Sequence, residues 1–236
     1  NSNRPLVEFI LKEKIIINEG LILSLKNNDL EIAKTIIKYG DSKLINKISK
    51  NETALTVAVE NNYEAIVELL LNYNYFDKED SLFNYALYIS RDKVRNILLN
   101  SKYLDINDKM FTTINQPQNK DNQQNNYPPN FNISDTLLIY SVRDGNQQMI
   151  DLIINHPTFD KKKSRLNEAV FIAVDNNFPI FQKLIHLIDT DLYNYTYQGK
   201  TIFSFIYIHM NSRPFGSNFN NNINNNIINN NIINNN

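Results

Sequence analysis

Two short amphipathic segments, joined at Asn61-Asn62-Tyr63, constrain the fold of this chain more than any other feature. They lie within Asn51–Asn74, which reads NETALTVAVENNYEAIVELLLNYN. The apolar residues of both segments recur with helical periodicity and so form one face of each helix. These residues are Leu55, Ala58 and Val59 in the first segment, and Ile66, Val67, Leu70 and Leu71 in the second. Because isolated helices shorter than about 12–15 residues are marginally stable in water, the pair predicts a unit that is stabilised by stacking on further copies.

Copies of this pattern recur along the chain. Leu21 lies 34 positions before Leu55, and each copy has a small residue at the position of Ala58, where two helix backbones can approach closely. The five copies span Leu21–Ile37, Leu55–Leu71, Phe83–Leu99, Thr136–Ile154 and Val170–Ile185. Two half-units flank them: Leu6–Leu11 as a second helix and Gly199–His209 as a first helix. The recurrence predicts an array of helix pairs.

The turn before the best copy reads Thr53-Ala54-Leu55-Thr56-Val57-Ala58, and weaker versions start at Thr136 and Thr201. It resembles the ankyrin repeat, a unit of about 33 residues with a Thr-Pro-Leu-His-x-Ala motif. The resemblance covers about residues 5–210 apart from an insert, and it implies an all-α solenoid of helix-turn-helix repeats. No copy has the Pro or His of the motif, and Gly145 is the only glycine that ends a helix. The repeats are therefore degenerate, and another helix-pair solenoid is the alternative.

Composition divides the chain into repeats, an insert and a tail. Thr136 follows Ser81 by 55 positions, about 22 more than one ankyrin repeat, and the surplus is rich in Asn, Gln and Pro. Such a stretch, like the Asn-rich tail, cannot bury enough apolar surface to offset the entropy of ordering. We therefore expect a flexible insert and a disordered tail that is prone to association. The four parts are 1–111 (repeats), 112–133 (insert), 134–212 (repeats) and 213–236 (tail).

The composition excludes several classes of site. The chain has no cysteine, which excludes disulfides, thiolate zinc sites and iron–sulfur clusters. The net charge of −1 indicates no bulk attraction to nucleic acid or anionic membranes. No apolar run approaches the roughly 18 residues of a membrane span, so we expect a cytoplasmic protein. We also expect it to be monomeric apart from association through the tail. The chain begins without methionine, which leaves open whether it is a fragment of a longer protein.

Few residues indicate chemistry. Gly199-Lys200-Thr201 ends like a phosphate-binding loop, but Asn194 stands where that loop needs glycine, and the repeat explains these residues more simply. The three histidines, His156, His186 and His209, show neither metal-ligand spacing nor a catalytic triad. Lys161-Lys162-Lys163, with Arg165, forms one basic cluster, either a contact for an acidic or nucleic-acid ligand or a solvated loop. We therefore expect no catalytic residue, cofactor or metal.

The resemblance implies a non-catalytic scaffold that binds another protein in a groove formed by the finger loops and the exposed side of the first helices. The alternative is a targeting or regulatory arm of a larger enzyme. Tyr and Arg are enriched at binding hot spots, which favours Tyr88, Arg91 and Arg143, whereas Tyr85 and Tyr140 are expected in the core between repeats. The full set of expected groove residues is Asn61, Tyr63, Tyr88, Ile89, Arg91, Arg143, Asp144, Asp175 and Asn176.

Overall fold

The computed structural model describes residues 17–40, 43–46, 52–110, 135–188 and 194–212. The predicted half-unit at Leu6–Leu11, the insert at 112–133 and the tail at 213–236 lie outside these residues. The boundaries of these segments remain predictions.

Helices in the described residues follow one another in pairs, as the periodicity predicts. The first helices of the pairs are α1 (Ile17–Lys26), α3 (Ala54–Glu60), α5 (Phe83–Ile89), α7 (Leu137–Asp144) and α9 (Leu166–Asn176), and α11 (Ile202–Ser212) corresponds to the predicted half-unit at Gly199–His209. The second helices are α2 (Leu30–Tyr39), α4 (Glu64–Leu71), α6 (Asp92–Leu99), α8 (Gln147–Ile154) and α10 (Phe178–Ile185). A 3-10 turn occupies Lys43–Asn46, and strands β1 (Thr196–Tyr197) and β2 (Lys200–Thr201) form an antiparallel hairpin. The fold is therefore an all-α helix-turn-helix repeat fold.

The chain divides into two compact units, residues 1–164 and 165–236. In the first unit, α1 packs on α3 and α3 on α5, while α2 packs on α4 and α4 on α6, so the first and second helices form two layers. Ala58 and Ala86 are completely buried. A side chain this small lets the two helix backbones approach, so the burial agrees with the role predicted for this position.

The turns of the first unit use the residues that the sequence favours. Asn28 and Asn62 adopt the left-handed conformation between the helices of their pairs, with φ of 60° and 56°. Gly145 does the same after α7, with φ of 72°. Asn and Gly tolerate this conformation best. The start of α3 is fixed by a capping box, in which Thr53 and Thr56 each accept the other's backbone N–H with their hydroxyl oxygens.

Helix α9, the first helix of the second unit, begins one turn before Val170, where the repeat pattern predicts its start. Helix α9 has 11 residues against the seven of α5, because Leu166 and Ala169 extend the buried face before Val170. Pro179 lies in the first turn of α10, as expected for a residue without an N–H. The ring of Phe171 is surrounded by three other rings, with centroids 5.5–5.8 Å away: Tyr195, Tyr197 and Phe205.

Candidate protein-binding surface

Three side chains meet where the C-terminal ends of α5 and α7 come together. The Tyr88 hydroxyl donates a hydrogen bond to the Asp144 carboxylate. The Tyr88 ring packs edge-on against Tyr140, with centroids 4.9 Å apart and an interplanar angle of 90°. Tyr140 is buried, Tyr88 is half-buried and Asp144 is exposed. The cluster therefore joins a packed aromatic base to a solvent-facing carboxylate.

Burial and nearby carboxylates shape the electrostatics of this face. Burial raises the pKa of Tyr88, and the hydrogen bond to Asp144 raises it further. Burial and the charge of Asp144 also raise the pKa of Tyr140. Towards α3, burial and then repulsion from Glu52 raise the pKa of Glu60. All of these shifts favour the neutral forms of the groups.

Arg143 is half-buried and forms an ion pair with a neighbouring carboxylate. Its Nε lies 2.8 Å from Oδ2 of Asp135, whose side chain is completely buried. Asp135 also stands where the chain returns to the repeats, because its carbonyl accepts a 2.8 Å hydrogen bond from the N–H of Met110. Burying a carboxylate without a cation is costly. The guanidinium of Arg143 therefore stabilises this junction.

The helix pairs and the capped turns match a known repeat family. A family model for ankyrin repeats matches the chain in three copies, over residues 1–81 and 21–110. Residues 1–110 are ankyrin repeats. Ankyrin repeats generally mediate protein–protein interaction and are typically non-catalytic. Among curated proteins and among solved structures, no significant match was found.

The remaining residues predicted for the ankyrin groove lie in different environments. Arg91 is exposed at the start of α6, and Ile89 is half-buried at the end of α5. Asn61 is exposed, with its Nδ2 donating to the Val57 carbonyl at 2.9 Å, and Tyr63 is half-buried before α4. Asp175 and Asn176 end α9, but their side chains lie outside the described residues. The structure thus joins Tyr88 to Asp144 directly, and the other assignments remain predictions.

The Asp77–Ser81 finger is held by a hydrogen-bonded asparagine that the sequence reasoning missed. Asn46 is buried, and its Oδ1 accepts from the Ser81 hydroxyl at 2.9 Å and the Asp77 N–H at 3.3 Å. Its Nδ2 donates to the Tyr75 carbonyl at 2.5 Å. The Thr53 hydroxyl adds a bond of 2.8 Å to the Ser81 carbonyl. A single asparagine therefore ties the start of one ankyrin repeat to the next finger.

The same arrangement recurs further along, in the Asp160–Ser164 finger. Oδ1 of Asn107 accepts from the Ser164 hydroxyl and the Asp160 N–H, both at 2.7 Å, and Nδ2 donates to the Thr158 carbonyl at 2.9 Å. Thr136 donates to the Ser164 carbonyl at 2.9 Å. The signal in the sequence is the Asp-Lys-x-x-Ser pattern that both fingers share. In the first finger its Asp and Ser bind Asn46, and in the second they bind Asn107.

The other candidate sites take part in local structure. Gly199 lies in the turn of the β1–β2 hairpin with φ of 73°, and His186 follows the last residue of α10. Nδ1 of His156 lies 2.9 Å from the Thr158 hydroxyl. Among the described residues, no group of three or more His, Cys, Asp or Glu side chains is placed to hold a metal ion. No helix in this part of the chain is both long and apolar enough to cross a membrane.

Proposed function

We propose that this chain is a non-catalytic scaffold that binds another protein through the ends of its first helices and its finger loops. The observation that carries the proposal is the cluster of Tyr88, Tyr140 and Asp144, in a chain whose first 110 residues are ankyrin repeats. A half-buried tyrosine offers a large, rigid contact area, and tyrosine is among the residues most often found at binding hot spots. The adjoining carboxylate adds a polar group that can orient a partner.

The packing of the cluster favours binding because the site is already formed. Tyr88 is held by its hydrogen bond and by the Tyr140 ring, so little side-chain entropy remains to be lost when a partner docks. Arg143 contributes differently from its predicted role, since its guanidinium pairs with Asp135. In this proposal Tyr88 and Asp144 contact the partner, and Arg143 positions α7.

Affinity capture with the full chain, followed by quantitative comparison of the captured proteins, tests the proposal. Tyr88→Ala removes the exposed part of the ring and the hydroxyl, and should reduce recovery of at least one partner about tenfold or more. Tyr39→Ala is the matched control, because Tyr39 is an exposed tyrosine at the end of α2, away from the cluster. Equal recovery with both variants and the unaltered chain would remove the cluster as the binding surface.

A further inference from the structure

Two fingers of this chain have the same backbone hydrogen bonds but opposite charge. Finger Asp77–Ser81 reads DKEDS, and finger Asp160–Ser164 reads DKKKS. In the first, the Asp77 carboxylate accepts the N–H groups of Glu79 and Asp80 at 2.8 and 2.9 Å. In the second, Asp160 accepts those of Lys162 and Lys163 at 2.9 and 2.8 Å. The two turns are thus the same structure with different side chains at two positions.

Comparing the two fingers shows which side chains the turn requires for its structure and which side chains can vary. Both turns use the leading Asp and the closing Ser. In the second finger, the hydrogen bonds from the N–H groups of Lys163 and Lys162 lower the pKa of Asp160. The two positions at which the fingers differ contribute their backbone N–H groups to the turn, and the charges of Lys163 and Lys162 also lower the pKa of Asp160. Because the first finger forms with Glu79 and Asp80 at these positions, the fold does not require lysine there.

The ammonium groups of Lys162 and Lys163 face solvent. Both side chains are exposed, and neither forms an ion pair within the described part of the chain. In the other finger, Lys78 contacts Asp108 at 2.6 Å. The turn that displays the two lysines is anchored through Asn107. A partner therefore meets two positive charges on a turn whose backbone is already ordered.

We infer that the Asp160–Ser164 finger recognises a short acidic segment of the partner protein, which deepens the proposed function and rests on it. Charge complementarity identifies the occupant: two carboxylates match the ammonium groups of Lys162 and Lys163. Nucleic-acid binding commonly neutralises about six to ten phosphates, whereas this chain has a net charge of −1. One small basic turn suits a compact acidic peptide.

A fluorescein-labelled hexaglutamate peptide, titrated with the full chain and followed by fluorescence anisotropy, tests the inference. Lys162→Glu combined with Lys163→Asp gives this finger the side chains of Asp77–Ser81, so the turn should be retained. The dissociation constant should rise about tenfold or more, since two attractive charges become repulsive. The control, Lys38→Glu with Lys102→Glu, makes the same change in net charge at two other exposed positions and should bind like the unaltered chain.

Several results would overturn the inference. If the finger variant bound hexaglutamate as well as the unaltered chain, or if both variants weakened binding equally, the finger would have no specific role. Tighter binding of a labelled hexauridylate RNA, lost in the finger variant, would identify a nucleic-acid ligand instead. The result is separable from the proposed function, because Tyr88→Ala should leave hexaglutamate binding unchanged while reducing partner capture.

Discussion

The hydroxyl of Ser81 donates a 2.9 Å hydrogen bond to Oδ1 of Asn46, the last residue of the 3-10 turn at Lys43–Asn46. Ser164 and Asn107 repeat this relationship at 2.7 Å. Both asparagines are buried, so their hydrogen bonds are made in surroundings where water cannot replace them. Successive fingers are therefore coupled by side chains as well as by helix packing.

Replacing Asn107 tests this coupling. Asn107→Ala leaves the Asp160 N–H and the Ser164 hydroxyl without their acceptor, and should lower the free energy of unfolding by about 2–4 kcal/mol in urea titrations. The control is Asn100→Ala, because the exposed Asn100 makes only a local bond of 2.8 Å to the Asn96 carbonyl. Equal effects of the two substitutions would show that the finger contacts add nothing.

Arg143 and Arg91 should behave differently although both were predicted as binding residues. Arg143→Ala leaves the buried carboxylate of Asp135 without its cation, and should cost about 3 kcal/mol of stability. Arg91→Ala, at an exposed position, should change stability by less than about 0.5 kcal/mol. Thermal melts followed by circular dichroism compare the two, and an unchanged melting temperature for Arg143→Ala would contradict the structural role.

Adjacent leucines in α4 test the register of the repeats. Leu70 is 2% exposed and Leu69 is 41% exposed. Leu70→Asp buries an unpaired carboxylate and leaves a cavity, so it should lower the free energy of unfolding by at least about 3 kcal/mol. Leu69→Asp should change it by no more than about 0.5 kcal/mol. Urea titration measures both, and the reverse order would place the wrong face of α4 in the core.

Alkaline pH should destabilise the fold through Tyr88. Its pKa is raised from the ordinary value of 10.0, chiefly by burial, so the folded protein keeps this proton at a pH where the unfolded chain loses it. The resulting stability is complete below pH 10 and is lost as the pH rises above that value. The free energy of unfolding should therefore fall as the pH rises from 10 to 12, and fall less in Tyr88→Phe. Tyr39→Phe, at an exposed position, should match the unaltered chain; a fall in Tyr88→Phe equal to that of the unaltered chain would contradict this role.

The helix pairs could be predicted from the sequence because local signals determine them. The periodicity of Leu55, Ala58 and Val59 is a property of neighbouring residues, and so is the left-handed turn at Asn62. Each such signal acts within one repeat, where backbone geometry fixes which side chains share a face. Buried faces and turns could therefore be assigned before any contact was known.

The contacts between repeats were not predictable in the same way. The partner of Tyr88 lies 56 positions away, and that of Asn107 lies 57 positions away at Ser164. Periodicity does not specify which polar atoms face each other across such distances. Arg143 shows the consequence, since its residue type suggested a binding role but gave no sign of its ion pair with Asp135.

The pairing of the residues on either side of the insert predicts that the insert can be removed without unfolding the protein. Residues on its two sides already pair, because Lys109 and Thr136 form an antiparallel bridge and Met110 donates to the Asp135 carbonyl at 2.8 Å. Replacing residues 111–134 with Asn-Gly should close this bridge with a two-residue turn. The melting temperature should stay equal or rise slightly, since a shorter loop costs less entropy to close. The control is Asp135→Ala in the chain that keeps its insert, which removes the partner of Arg143 and should lower the melting temperature. If deleting the insert lowered the melting temperature by a similar amount, the insert itself would stabilise the repeats.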